Sequence, residues 1–348
     1  MNARPRLHEL GVASGAFRRG PLNAITDVAG VRIGHSTVQT DTLSTGVTAI
    51  VADQLNADRR WLPAGLAVGN GYGKLIGATQ LQELGAIETP VLLTSTLSAF
   101  RAADALVAWV LEQPGHEATR SLNPVVGETN DSYLSDIRSR PVGESHVREA
   151  LAAAASGPVA EGGVGAGTGT VALGYKGGIG TASRVFSVGA SDYTVGAIVQ
   201  SNYSGTLRIA GVPMPAADLL AAEPAVGDGN SCMIVLATDA PLDARQLSRV
   251  ANRAIFAMHG TGSDFAQGSG DYAIAFSVGE GSPPDDSLLS PAFEATMDAV
   301  EEALVNSLLQ ATTRTGFHGN TARQVPIDAV RERLRRAKWM RESERMRD

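Results

Sequence analysis

Along this chain, short apolar runs bounded by glycine, proline or asparagine alternate with stretches whose apolar side chains recur every third or fourth position. The first pattern predicts strands and the second amphipathic helices. Residues 25–34 alternate and carry a turn pair, Ala29-Gly30, which predicts a hairpin; 46–53, 64–68 and 90–94 read as single strands. Helices are predicted over 73–85, 98–112 and 144–155. The second of these puts Ala103, Leu106, Val107 and Val110 on one face and ends before Pro114-Gly115. Further on, 184–188 and 193–199 read as adjacent strands, and 205–224 as irregular and then helical. A turn at 225–230 leads into a buried strand at 232–236, and a helix at 242–258 follows. A polar loop over 261–271 enters a strand at 272–277, and two more helices are expected at 292–312 and from Pro326 onward. Strands and helices run through the whole length without a repeat or a linker, which predicts one compact α/β domain over 1–348.

Composition narrows the function classes. The net charge of −7 argues against a general nucleic-acid binder, and the mixed-charge tail from Arg331 on reads as a solvated helix or a subunit contact. A single cysteine excludes an internal disulfide and a cysteine-cluster metal site. The N-terminal residues have no apolar core and no uncharged run reaches membrane-spanning length, so a cytoplasmic protein without a membrane segment is expected. The 39 glycines are dispersed between apolar runs, which points to tight turns and close backbone contacts rather than low complexity.

Several motifs resemble known chemistry and fail on inspection. Gly69-Asn-Gly-Tyr-Gly-Lys-Leu75 lacks the hydroxyl that a phosphate loop places after its lysine, and reads instead as backbone packing at a helix start. The run from Gly162 to Val171 holds dinucleotide-like glycines but leads into a strand, where the fingerprint needs a helix. It reads as a lining that lets backbone approach a ligand or another strand. Six histidines (8, 35, 116, 146, 259 and 318) occur singly, so no metal is expected. Gly268-Ser-Gly precedes a strand, not the helix a nucleophile elbow requires.

Ser231 is different. It stands at the first position of a core strand behind Ala225-Val-Gly-Asp-Gly-Asn230, a turn able to distort. A strained Gly-Asn-Ser turn can present its hydroxyl to the Asn230 carbonyl. Hydrolysis of the resulting ester leaves Ser231 as a new N-terminus, whose α-amine, with a pKa of about 8, serves as its own general base. An ordinary turn serine at a loop–strand junction fits the same residues. Asn202, Ser269 and Asp271 also stand at strand starts or ends, with Glu128 nearby in kind; together they supply the residue types an acyl-transfer site needs.

The chain resembles the self-processing aminopeptidases that include the L-aminopeptidase/D-amidase-esterase and the β-peptidyl aminopeptidases. The resemblance is carried, in family order and over nearly the whole length, by Asn23-Ala-Ile-Thr-Asp-Val28, Gly46-Val-Thr-Ala-Ile50, Val125-Val-Gly-Glu-Thr129, 161–170, Gly177-Gly-Ile-Gly-Thr-Ala-Ser-Arg184, Gly196-Ala-Ile-Val-Gln200, Ala210-Gly-Val-Pro213, 231–241 and Ser269-Gly-Asp271. It implies a four-layer αββα sandwich of N-terminal-nucleophile type and a hydrolase that needs no cofactor and acts on small peptides, amides or esters with a free amino terminus. It further implies autocleavage between Asn230 and Ser231 into a larger chain, 1–230, and a smaller one, 231–348, assembled as a homo-oligomer of processed heterodimers. By the same resemblance Ser231 is the nucleophile and Asn202 the oxyanion donor, while Ser269 and Asp271 manage the α-amine and its proton. Glu128 would face the substrate's amino group, with Asn130 in the substrate site.

Two positions depart from the family pattern. Asn130 stands where the amidase-esterase carries a tyrosine, so phenolic help to an oxyanion does not carry over. Asp271 is shorter than the glutamate of the β-peptidyl enzymes, which argues against assuming their substrate preference. Cleavage one residue later, before Cys232, is disfavoured because that side chain should point to the opposite face of the strand. An acyltransferase of related fold and an unprocessed, non-catalytic binding relative are the rival readings.

Overall fold

Strand formation begins where β-branched and apolar residues crowd. In the computed structural model Val31–Gln39 (β1) and Ser44–Ala52 (β2) pair antiparallel, and every residue of β2 is buried. The structure describes residues 4–221, 223 and 230–345, with only the backbone given for Asn230 and for 338–345. The predicted turn at 225–230 therefore lies outside the described residues, except for the Asn230 backbone. Leu62–Gly71 (β3), Ala78–Leu84 (α1), Ala86–Ile87 (β4), Val91–Ser95 (β5), Ala99–Leu111 (α2), Val125–Thr129 (β6) and Glu144–Ala152 (α3) follow. Next come the paired stubs Val171–Ala172 (β7) and Tyr175–Lys176 (β8), then the long strands Ile179–Val188 (β9) and Ser191–Asn202 (β10). Arg208–Ile209 (β11), Val212–Pro213 (β12), Ala216–Leu219 (α4), Asn230–Thr238 (β13), Ala244–Thr261 (α5), Ser269–Ser277 (β14), Ser290–Leu309 (α6) and Ile327–Arg345 (α7) complete the elements used below.

The strands form two principal sheets. One has the order β1-β2-β5-β6, the other β4-β3-β14-β13-β10-β9. Their facing sides share a dry core, in which Ile50, Val91, Leu93 and Val125 meet Ile198, Met233, Val235, Ile274 and Phe276. Helices α2 and α3 cover the outer face of the smaller sheet through Leu106 and Val147, against Val47, Leu92 and Val126. Helices α5 and α6 cover the outer face of the larger one through Val250, Ala254, Leu304 and Leu308, against Ile234, Leu236, Ala273 and Ala275. The result is the expected αββα sandwich, with central strands buried on both faces; such strands read in sequence as unbroken apolar runs. No described helix is long and apolar enough to cross a membrane.

Two features lock the sheets together. Gly127 of β6 packs directly on the Met233 thioether of β13; a Cβ at 127 would stand 2.3 Å from Met233 Cε and would have to displace it. Beside it, buried Gln200 of β10 reaches across with Nε2 to Thr94 O at 3.0 Å, Thr129 Oγ1 at 2.8 Å and Ala166 O at 2.9 Å. The N-terminal segment, irregular by sequence, is tied down ionically. Arg6 pairs with Glu161 at 2.8 Å, and Leu7 N donates to Asn306 Oδ1 at 2.8 Å. Fully buried Glu302 accepts from Arg184 Nη2 at 2.6 Å and from Asn23 Nδ2 at 2.8 Å.

Some boundaries differ from the sequence reading. The first hairpin turns at Thr40–Leu43, where Thr40 N donates to Leu43 O, and not at Ala29-Gly30; residues 25–27 form a single helical turn instead. Helix α1 starts at Ala78, because β3 runs to Gly71, residues 72–77 form a loop, and Gly77, at φ +89°, caps the helix. Strand β14 begins at Ser269, so Ser269 and Asp271 belong to the strand and not to the loop before it.

Replacing Gln200 by leucine strands these buried acceptors between the sheets. We expect a loss of about 3 kcal/mol in unfolding free energy at nearly unchanged volume, read as a lower urea midpoint. An unchanged midpoint would show that the bridge contributes nothing.

Candidate active site

The centre of the larger sheet assembles the polar residues. β13 pairs parallel with β14 on one side, in the register Asn230–Ser269, Ser231–Gly270 and Cys232–Asp271. On the other side it pairs antiparallel with β10, which sets Asn202 directly opposite Ser231. Four of the predicted residues, Ser231, Asn202, Ser269 and Asp271, thus meet at adjoining strand ends, and all four are buried.

Strand pleating then divides them between two faces. Met233 and Val235 point into the core between the sheets, whereas Cys232 and Ile234 point toward the helices. By this alternation Ser231 shares the inner face with Asn202 and Gln200. Cys232 turns to the opposite face, as its position in the strand predicts; burial raises its thiol pKa well above the ordinary range. Asp271, paired with Cys232, also lies on the outer face, beside Gly69 and Ile255 of α5. Ser269 and Asp271 straddle Ser231 in register from the side away from its hydroxyl. They flank Gly270, its register partner, on the neighbouring strand.

The outer pair is polarised. Ser269 Oγ donates to Asp271 Oδ1 at 2.8 Å. Burial pushes the Asp271 carboxyl up to about 6, a rise opposed by the Ser269 hydroxyl and the Cys232 amide. A carboxyl that exchanges its proton near neutrality suits proton traffic with an amine. On the inner face, Asn202 Oδ1 accepts from Val171 N at 2.9 Å, which makes Nδ2 the donor end of the amide beside Ser231. A hydroxyl next to a fixed amide donor can attack a carbonyl and stabilise the oxyanion that forms.

Glu128 comes from the other sheet, near the end of β6. Its Oε1 accepts from Lys74 N at 2.7 Å, and its Oε2 accepts from Thr96 Oγ1. The loop of Lys74 ties this carboxylate to the nucleophile's strand pair. Gly73 lies against Gly270, the register partner of Ser231, and a Cβ on Gly270 would fall 2.5 Å from Gly73 Cα. Glycine at both positions allows that approach. Asn130 is half-buried just beyond β6 and folds locally, its Oδ1 accepting from Ser132 N at 2.9 Å.

The sequence reading missed the supporting groups: Lys74 and Thr96 on Glu128, and Val171 on Asn202. The 69–75 glycine run was the available signal. Its role as close backbone packing holds, but the partner is the Ser231 strand pair. The 162–171 glycines also pack against protein backbone; Gly167 sits on Gly178-Ile179 and Gly169 on Ser44. Among the described residues, no group of three or more histidine, cysteine, aspartate or glutamate side chains could hold a metal ion.

Known proteins resemble this chain over almost its whole length. The profile of peptidase family S58 matches residues 23–322. The β-peptidyl aminopeptidase BapA of Sphingosinicella xenopeptidilytica is 38% identical, over 97% of this chain and 93% of that protein. Among solved structures, the PH0078 protein of Pyrococcus horikoshii OT3 superposes with a TM-score of 0.90 at 41% identity, covering 96% of this chain and 99% of that one. The L-aminopeptidase D-Ala-esterase/amidase of Ochrobactrum anthropi superposes with a TM-score of 0.88 at 34% identity, over 96% of this chain and 99% of that one; it is described as a prototype of the serine aminopeptidases with a variant Ntn hydrolase fold.

The raised Asp271 pKa fixes a sign. The fold holds this proton more tightly than the unfolded chain, so the residue's contribution to stability falls as pH rises from about 4 to about 6 and stays low above that. In the uncut chain, held intact by Ser231→Ala, Asp271→Asn should therefore raise the Tm at pH 8 relative to Ser231→Ala alone, and the gain should vanish at pH 4. Thermal unfolding at the two pH values checks this; an equal shift at both would remove Asp271 as the titrating group.

Proposed function

The chain belongs to peptidase family S58, and from that premise we propose how its residues divide the work of a serine aminopeptidase/amidase. The protein is a hydrolase of the N-terminal-nucleophile type. The observation that carries the assignment of roles is the register Asn202–Ser231–Gly270, with Ser269 and Asp271 on the far side of the strand.

Activation comes first. The Ser231 hydroxyl adds to the Asn230 carbonyl, the Asn230–Ser231 C–N bond breaks, and the acyl group passes to Oγ while the nitrogen becomes an amine. Water hydrolyses the ester, giving an Asn230 carboxylate and a free Ser231 at the head of 231–348. The new α-amine takes the Oγ proton in each catalytic cycle. Ser269 and Asp271, which straddle that nitrogen, hold it and exchange its proton.

Turnover then follows acyl-transfer logic. The substrate's ammonium binds Glu128, which its two donors hold in place, and this restricts cleavage to free amino termini. Oγ attacks the carbonyl, Asn202 Nδ2 stabilises the oxyanion, and the α-ammonium gives its proton to the departing amine. Water attacks the acyl-Ser231 ester, and the acid leaves with Oγ reprotonated. The substrate is a small peptide, amide or ester with a free amino terminus; one relative is named a β-peptidyl aminopeptidase and another an L-aminopeptidase D-Ala-esterase/amidase. We place the enzyme in the cytoplasm, because its one cysteine rules out an internal disulfide and a reducing compartment suits such a fold. Assembly as an oligomer of processed heterodimers is part of the same reading.

Intact mass and N-terminal sequencing test activation. Two chains are expected, the smaller beginning Ser-Cys-Met-Ile, and Ser231→Ala should remain a single inactive chain. A processed, active Ser231→Ala protein sinks the scheme. For recognition, Glu128→Gln should lower kcat/KM by about 100-fold on a free-amino substrate, the scale of a lost charge-assisted contact. It should also narrow the preference over the N-acetylated analogue, and an unchanged preference would move ammonium recognition elsewhere.

A further inference from the structure

Lys176 is 1% exposed, and a lysine so buried needs a reason. Its ammonium donates to two backbone carbonyls, Gly167 O at 2.9 Å and Gly177 O at 2.8 Å. These two residues bracket one small structure. Val171 pairs with Lys176 across the β7–β8 hairpin, and the turn is made by Leu173 and Gly174 at φ +54° and +83°. Positive φ at both central positions is the geometry of a tight two-residue hairpin, and leucine adopts it only under constraint. Gly177 N closes the base of the bracket on Thr170 O at 3.0 Å. The hairpin meets the active site through two bonds, Val171 N to Asn202 Oδ1 at 2.9 Å and Leu173 N to Tyr203 O at 2.7 Å.

We propose that Lys176 is a positioning residue for the Asn202 amide: its ammonium cross-links the carbonyls at either end of the β7–β8 hairpin, holds the Val171 N–H on Asn202 Oδ1, and so aims Nδ2 as the oxyanion donor beside Ser231. Without the Lys176 amino group, Gly177 O loses that donor, Gly167 O is left with Thr170 Oγ1 at 3.1 Å, and the loop relaxes around the Val171 N–Asn202 Oδ1 bond. A shift of this kind acts on the transition state, where the oxyanion exists, and not on the bound substrate. Burial lowers the Lys176 pKa to about 7 and Arg314 acts in the same direction, while Asp131, buried with its Cβ against Gly169, acts against them; charged or neutral, the amino group has the N–H donors for both carbonyls. Asn202 itself is a catalytic residue in the reading above, on which this inference rests.

The test compares wild-type enzyme, Lys176→Met and Lys176→Gln on an aminoacyl p-nitroanilide. Two inhibitors accompany it: an aminoacyl aldehyde, which forms a tetrahedral adduct with Ser231, and the free amino acid amide, which does not. Lys176→Met should lower kcat by 10- to 100-fold, on the scale of an impaired oxyanion donor, with KM within about threefold. Its affinity for the aldehyde should fall by the same factor while that for the amide stays put. Lys176→Gln, which keeps an N–H donor, should recover part of both losses, and it carries the comparison if Lys176→Met does not fold. A kcat within twofold of wild type, or equal losses for aldehyde and amide, overturns the proposal. Asn202→Ala separates the two levels: if that variant turns over substrate like wild type, Asn202 is not the donor and both readings fall.

Discussion

Parallel pairing of β13 with β14 in the middle of the larger sheet is the constraint from which the site follows. Because the two strands run the same way, their first residues lie at the same sheet edge, and one register sets the nucleophile against Gly270 with the polar residues 269 and 271 on either side. Pleating adds direction. It sends the Ser231 side chain toward the space between the sheets and the acid toward the helical layer, so one residue receives chemistry from both faces of a sheet. An antiparallel partner in place of β14 would have put its chain end, and those polar side chains, at the far edge.

Much of this was legible because the central strands are buried on both sides. Runs such as Cys-Met-Ile-Val-Leu at 232–236 have no polar face to confuse with a helix. The amphipathic helices α2 and α5 were read from spacing within a few residues of their ends. Polarity misled where polar side chains are buried. Ser269 and Asp271 looked like loop, yet they open a strand in which all nine residues are buried, with Ser269 Oγ donating to Asp271 Oδ1. Thr40 to Leu43 supplies the real first turn because Thr40 also caps its own loop through Oγ1, a local bond that composition does not distinguish from strand threonines. The 69–75 glycines mark the loop of Lys74 but not the N–H that Glu128 uses, and Val171 likewise acts through a backbone N–H, which carries no residue signature.

Buried charge marks another limit of pattern reading. Arg6, Asn23, Glu161, Arg184 and Glu302 come from four distant stretches, and their hydrogen bonds tie the N-terminal segment to β9 and α6. Removing one partner would leave the others unpaired in a low-dielectric interior, which makes such a cluster fragile to single changes although its net contribution to stability is small. Burial pushes the Glu161 carboxyl up to about 7 even with Arg6 beside it, so desolvation outweighs the ion pair there.

The strand order β4-β3-β14-β13-β10-β9 has a consequence for how such a protein can be made. Apart from Asn230 itself, β13 and β14 follow the Asn230–Ser231 bond in sequence, yet they are flanked on both sides by strands that precede it. A chain opened ahead of Ser231 would yield pieces interleaved like the fingers of two hands, each completing the other's sheet and each unable to bury its own strands alone. Stoichiometry would then be set at translation and not by mass action. A gene split at that codon would have to thread two central strands into an unfinished sheet, a search that one continuous polypeptide never faces.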